Sequence, residues 1–225
     1  MNMLKTLIVS MAMLITLAAN AVNITIYDGA SSAATGWYGK QENQEVEPNT
    51  IAGQIWDMES FELVGNTLVM TGGYNFTSAA GSGGFRPGDI FFDVNGGGYD
   101  FVATVGTAGL TYDVYALPAN TYSVFYSQNA LSNPWRYKDG GVLSESALSV
   151  SYGNFADAEG THYTASMDIS WLLGNLVSGD SVVIHNTMEC GNDNLMGSFA
   201  VPESGNSLAM LGLGGVAMLI IRRRK

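Results

Sequence analysis

Residues 89–101 read DIFFDVNGGGYDF, and this stretch decides the fold. Asp89–Val94 is rich in Ile, Phe and Val, and Tyr99–Val105 forms a second such run. Asn95-Gly96-Gly97-Gly98 stands between them, and Asn and Gly accept the positive φ that tight hairpin turns require. The spacing predicts two antiparallel strands. Outward from the hairpin the same grammar repeats, with short Val-, Ile-, Thr-, Tyr- and Phe-rich runs set between Gly, Asn, Asp and Ser clusters.

Upstream, strands are expected at Asn23–Tyr27, Gln54–Val64, Thr67–Thr71 and Tyr74–Thr77, with Gly65-Asn66 as a turn. The apolar phase shifts between Met58 and Phe61, which predicts a bulge. Downstream, strands are expected at Leu110–Leu117, Tyr122–Gln128, Ala147–Tyr152, Thr161–Ser170, Ser181–Glu189 and Gly197–Val201. Ser170–Leu176 reads as one helical turn. Helical periodicity is otherwise nearly absent, no fixed-period repeat is visible, and no linker divides the chain. The expectation is one all-β ectodomain over residues 22–200, an antiparallel β-sandwich of jelly-roll-like kind with about ten to twelve strands.

Charge narrows the class. The chain has net charge −11, but five of its nine cations lie at its two ends. Lys40, Arg86, Arg136 and Lys138 are the only cations of residues 22–200, which hold every acid except Glu203. So acidic a body repels nucleic acid and anionic lipid, stays soluble, and attracts divalent cations. Nucleic acid is therefore not an expected partner. A lone cysteine, Cys190, allows no internal disulfide, and its neighbours Glu189 and Asp193 disfavour a thiolate.

The two ends read as addresses. Lys5 precedes an apolar region, Thr6–Ala18, and Ala19-Asn20-Ala21 is a small-x-small site. Residues 1–21 thus read as a signal peptide cut by signal peptidase between Ala21 and Val22. At the other end, residues 201–225 read VPESGNSLAMLGLGGVAMLIIRRRK. The uncharged residues 204–221 would span about 27 Å as a helix, against a hydrocarbon core of about 30 Å. Arg222, Arg223, Arg224 and Lys225 would hold that end on the cytoplasmic side. A transmembrane helix at 204–221 and a body outside the membrane are expected.

A Val-Pro-Glu motif, a Gly-rich apolar helix and a terminal Arg cluster resemble the PEP-CTERM sorting signal of Gram-negative bacteria, in its VPDSG-like variant. The resemblance implies that Val201, Pro202, Glu203, Ser204 and Gly205 form a motif read by an exosortase, a membrane-embedded cysteine transpeptidase-like enzyme. Ser204 stands where the commonest version has a second proline. The body also resembles the ectodomain of a group of PEP-CTERM proteins, through EVEPNT (45–50), WDMESFEL (56–63), GDIFFDVNGGGYDF (88–101) and HNTMECGND (185–193). Where that group usually has Asp, this chain has Gly97.

Signals for chemistry are sparse. Asp93-x-Asn95 followed by glycines is similar to the start of a calcium loop, and Asp89 and Asp100 stand close in sequence. Gly97 and Thr104 replace two expected oxygen ligands, and a plain Asn-Gly turn explains the stretch equally well. Two readings stay open there, no cofactor or calcium held by Asp89, Asp93, Asn95 and Asp100. His162 and His185 are too few for an ordinary zinc site and read as structural. The glycine-rich Ala79–Gly88 lacks the Gly-Lys-Ser/Thr ending of a phosphate loop. Acid pairs such as Glu59/Glu62 and Asp157/Glu159 could serve a two-carboxylate glycoside hydrolase, but nothing marks them out. Trp37 and Trp135, in polar loop-like surroundings, are candidates for stacking on a glycan. The chain reads as an exported, non-enzymatic surface or extracellular-matrix protein with a structural or adhesive role. A carbohydrate-binding module of an exopolysaccharide matrix is the alternative.

Overall fold

The computed structural model describes residues 21–26, 54–77, 84–106, 109–128, 130–158 and 160–201. Residues 1–20, Trp37, the sorting motif beyond Val201, the apolar segment 204–221 and the basic end 222–225 lie outside the described residues. Among the described residues no helix is long and apolar enough to cross a membrane.

Twelve strands are described: β1 (Ala21–Asn23), β2 (Ser60–Val64), β3 (Thr67–Gly72), β4 (Ile90–Val94), β5 (Phe101–Ala103), β6 (Thr111–Ala116), β7 (Tyr122–Phe125), β8 (Arg136–Gly140), β9 (Val142–Ala156), β10 (Thr161–Asp168), β11 (Ser181–Thr187) and β12 (Asn194–Ala200). One short helix, α1 (Ser170–Leu173), follows β10. All pairings between these strands are antiparallel.

Ten strands form one curled sheet in the order β1-β2-β3-β10-β9-β6-β5-β4-β11-β12, and β7 and β8 form a separate ribbon. The sheets expected from the sequence are thus two halves of one sheet. The long β9 makes the corner, pairing with β6 through residues 142–149 and with β10 through residues 150–156. Register shifts opposite β6 and a positive φ at Ala147 bend it there. A second corner lies at the far edges. Ser198 donates its N–H to the Ile24 carbonyl (2.7 Å), and Ile26 donates to that of Met196 (2.8 Å). Residues 21–26 therefore pair first with β2 and then with β12, joining the sheet's two ends.

The halves share one core. Phe61, Leu68, Met70, Ala165 and Met167 come from one side, and Ile90, Phe92, Val114, Val182, Ile184 and Leu195 from the other. β3 alternates cleanly between buried and half-buried positions, as a strand with one core face must. β4 does not alternate, because Ile90 and Phe92 face that core while Phe91 faces a second one. The second core is the layer under the ribbon, where Tyr122, Val124 and Tyr137 pack on Phe91, Val102 and Leu117. Covering both faces explains the unbroken Ile90-Phe91-Phe92 run. Burying each of these side chains contributes about 1.5–3 kcal/mol.

The hairpin turn forms as the sequence implies, with positive φ at Asn95, Gly96, Gly97 and Gly98. The expected helical turn is α1. Three local expectations are corrected. Gln54–Trp56 is a 3-10 turn rather than the start of a strand. Tyr74–Thr77 is turn, with the Asn75 side chain accepting the Thr77 N–H (2.9 Å). The polar Arg136–Gly140 forms β8, which hydrophobic patterning did not reveal.

Candidate functional site

The hairpin end does not assemble the four residues of the calcium reading. Phe92 pairs with Phe101, so Asp93 and Asp100 stand opposite each other. The Asp100 carboxylate accepts the Val94 N–H (2.7 Å). Asn95 is bound to the start of β11, its amide donating to Asp180 (2.8 Å) and its carbonyl accepting the Ser181 N–H (3.0 Å). Asp180 also accepts the Val177 N–H, and these two bonds hold its carboxyl below the ordinary range.

Asp89 is elsewhere. It lies four residues back along the hairpin's first arm, about 13 Å from Asp93. It is buried, accepting the N–H groups of Gly106 (2.8 Å) and Tyr137 (2.9 Å). Burial pushes its pKa up to about 6, against the pull of those two N–H groups and of Arg136. Its role is to fasten β4 to the ribbon, not to complete a turn. Among the described residues no group of three or more His, Cys, Asp or Glu is placed to hold a metal ion.

Trp135 is also corrected. It is only 4% exposed. The Arg86 guanidinium lies 5.1 Å from its ring centre, Arg136 lies 5.8 Å away, and Phe125 packs at 6.1 Å. Arg86 is itself held by two bonds to Glu189, Nε–Oε2 at 3.0 Å and Nη2–Oε1 at 2.8 Å. Lys138 stands 5.8 Å from the Phe125 ring. The cations of the described body thus gather around two aromatic rings, and Trp135 offers no open face to a sugar.

Both histidines are structural in setting but opposite in charge tendency. His162 bonds through Nδ1 to Glu59 (2.6 Å) and through Nε2 to Asp157 (2.9 Å), with Phe155 stacked at 4.7 Å. The bond to Asp157 is the main cause holding its pKa above the usual histidine value, with Glu59 adding to it and burial opposing. His185 is fully buried beneath the ribbon, and desolvation lowers its pKa to about 4. Its Nδ1 shares a hydrogen bond with the Tyr99 hydroxyl (3.1 Å). The Asn194 amide lies beside Nε2 without reaching hydrogen-bond geometry. Cys190 is half-buried, and burial pushes its thiol up, which keeps it protonated.

Open clefts lie among the described residues, two of them near the hairpin end and the ribbon. One, of about 390 Å³, lies by the hairpin end between Asp100, Leu117, Asn175 and Asp180. The other, of about 430 Å³, runs along β7 and is lined by Tyr99, Asn120, Tyr122, Ser123, Tyr126 and Asn133, with Val124 and Pro134. No charged residue lines it. Tyr126 projects from it, 72% exposed. Tyr99 is fixed by stacking on His185 (5.8 Å between centres, 16° between planes) as well as by its hydroxyl bond. The Asn133 carbonyl accepts from the N–H and hydroxyl of Ser127, which orients the amide nitrogen away from that pair. Sequence reading did not single out these residues. The available signal was residues 118–135, PANTYSVFYSQNALSNPW, where Tyr, Asn and Ser cluster without charge. Compared with protein-family models, curated proteins and solved structures, the chain matches none.

Proposed function

We propose that this chain is an exported protein of the cell surface or extracellular matrix, with a non-catalytic structural or adhesive role. In this reading residues 1–21 are removed by signal peptidase, and Val201–Gly205 present the body to an exosortase. The helix 204–221 holds the chain in the membrane, and Arg222–Lys225 hold its end inside. The body is then an acidic sandwich of jelly-roll-like kind, a finer reading of the curled sheet. One observation carries the proposal: motif, apolar run and basic cluster follow one another in that order over residues 201–225.

Intact mass spectrometry of the surface form tests it. The expected product begins at Val22 and ends between Val201 and Ser204. A surface form that keeps Arg222–Lys225 would refute processing. A second reading, that the adhesive role is carbohydrate binding, is supported by the uncharged cleft along β7.

A further inference from the structure

We infer that the cleft along β7 is a binding site for a neutral oligosaccharide, with Tyr126 as its stacking platform; this inference rests on the carbohydrate-binding reading. Its volume of about 430 Å³ falls within the ~300–1,000 Å³ range of ligand clefts. Its lining mixes aromatic rings with amide and hydroxyl groups, and this matches a pyranose, which pairs an apolar C–H face with a rim of hydroxyls. Tyr126 supplies an open face, and Asn120 and Asn133 supply neutral donors and acceptors, while the Ser123 hydroxyl is engaged by the Asp139 carboxylate.

The absence of charge in the lining selects the ligand class. The surrounding body is strongly acidic and repels anionic glycans at a distance. The cations that could offset this are engaged elsewhere. Arg86 pairs with Glu189, and Arg136 lies against Trp135. Lys138 lies over the Phe125 ring, and neither residue lines the cleft.

Rigidity is built into the same place. Tyr99 is locked between Phe91 (5.0 Å) and His185, and the Asn133 amide is set by Ser127. Neither group needs much ordering when a ligand arrives, so less binding free energy is lost. Burial raises the Tyr122 pKa, with Asp100 and the neighbouring Tyr126 adding to the effect, so the wall stays uncharged at neutral pH. No hydrogen bond among the described residues uses the Tyr122 or Tyr126 hydroxyl or the Asn120 side chain. These groups are available to ligand hydroxyls.

The test is calorimetric titration of the full chain, in a detergent without a sugar head group, with cellohexaose, mannohexaose and hexagalacturonate. Binding of at least one neutral hexasaccharide and none of hexagalacturonate is expected. Tyr126→Ala should weaken binding roughly tenfold, the loss of one stacking contact, whereas Tyr126→Phe should retain most of it. Leu110→Ala, at another exposed apolar position, should change nothing. If the wild type binds but Tyr126→Ala binds as tightly, the site is refuted while the carbohydrate-binding reading survives. Preference for hexagalacturonate refutes the neutral-ligand assignment. Failure of both neutral hexasaccharides to bind overturns the inference together with the reading on which it rests.

Discussion

His162 shows how one side chain can carry a pH dependence that the sequence does not disclose. The two carboxylates it joins, Glu59 and Asp157, stand 103 and 5 residues away in the chain. Sequence reading had them only as two members of unremarkable acid pairs. With a carboxylate on each ring nitrogen, the protonated form is favoured in the folded state, and the pKa is raised. The folded state then holds its proton to higher pH than the unfolded state does. This contribution to stability is complete below the ordinary histidine value of about 6.5 and is lost as pH rises through the higher folded value. Melting temperature measured against pH should therefore decline on the alkaline side of about 6.5. In His162→Gln that component should vanish, so the difference between the two curves narrows as pH rises. Parallel curves would show that the carboxylates do not hold the proton. The same scale explains the misreading of Trp135 and the oversight of Tyr126. Both stand in polar stretches, and only tertiary packing decides that arginines cover one ring while solvent reaches the other.

Strands with one buried face were legible, because alternation declares them; β3 and β6 lie close to their expected bounds. Two elements were not. β8 reads Arg-Tyr-Lys-Asp-Gly and has little apolar pattern, since the ribbon's outer face is wet. β9 was expected only at Ala147–Tyr152, yet it runs from Val142 to Ala156, because its exposed arms are held by pairing rather than burial. The ribbon's first strand was expected at Tyr122–Gln128, but its second strand, and with it the cleft, was invisible for this reason. Its attachment turns on Gly88, where β11, β4 and the approach to β8 cross. A Cβ at Gly88 would lie 1.9 Å from the Thr187 carbonyl oxygen and 2.4 Å from that of Trp135. Both obstacles are backbone and cannot rotate away. Gly88→Ala should cost about 3 kcal/mol, measured by urea unfolding. Hydrogen exchange should speed up at the amides of Asp89 and Tyr137, which bridge the crossing. An unchanged urea midpoint would mean that the three segments can separate freely.

For the whole molecule, the decisive element is the short segment 21–26, which joins the sheet's edges. Without it, β2 and β12 would each present an unpaired edge, and such edges promote association. Removing residues 22–26 should lower stability by at least ~2 kcal/mol, from loss of the buried Ile24 side chain and the seam hydrogen bonds. Light scattering should show concentration-dependent self-association of that shortened chain. A monodisperse protein of unchanged urea midpoint would show that closure is dispensable. The seam also fixes where the chain leaves the domain. Val201 is still tied down, donating to the Asp180 carbonyl (2.8 Å) and accepting from the Gly179 N–H (3.1 Å). Asp180 in turn holds Asn95. On the proposed reading the membrane helix begins at Ser204, which can lie no more than about 11 Å from Val201 even when the chain between them is fully extended. In a membrane-held precursor this is a short leash. Such a leash would keep the Asn95–Gly98 turn near the bilayer surface and would leave a processing enzyme little room beneath the folded domain.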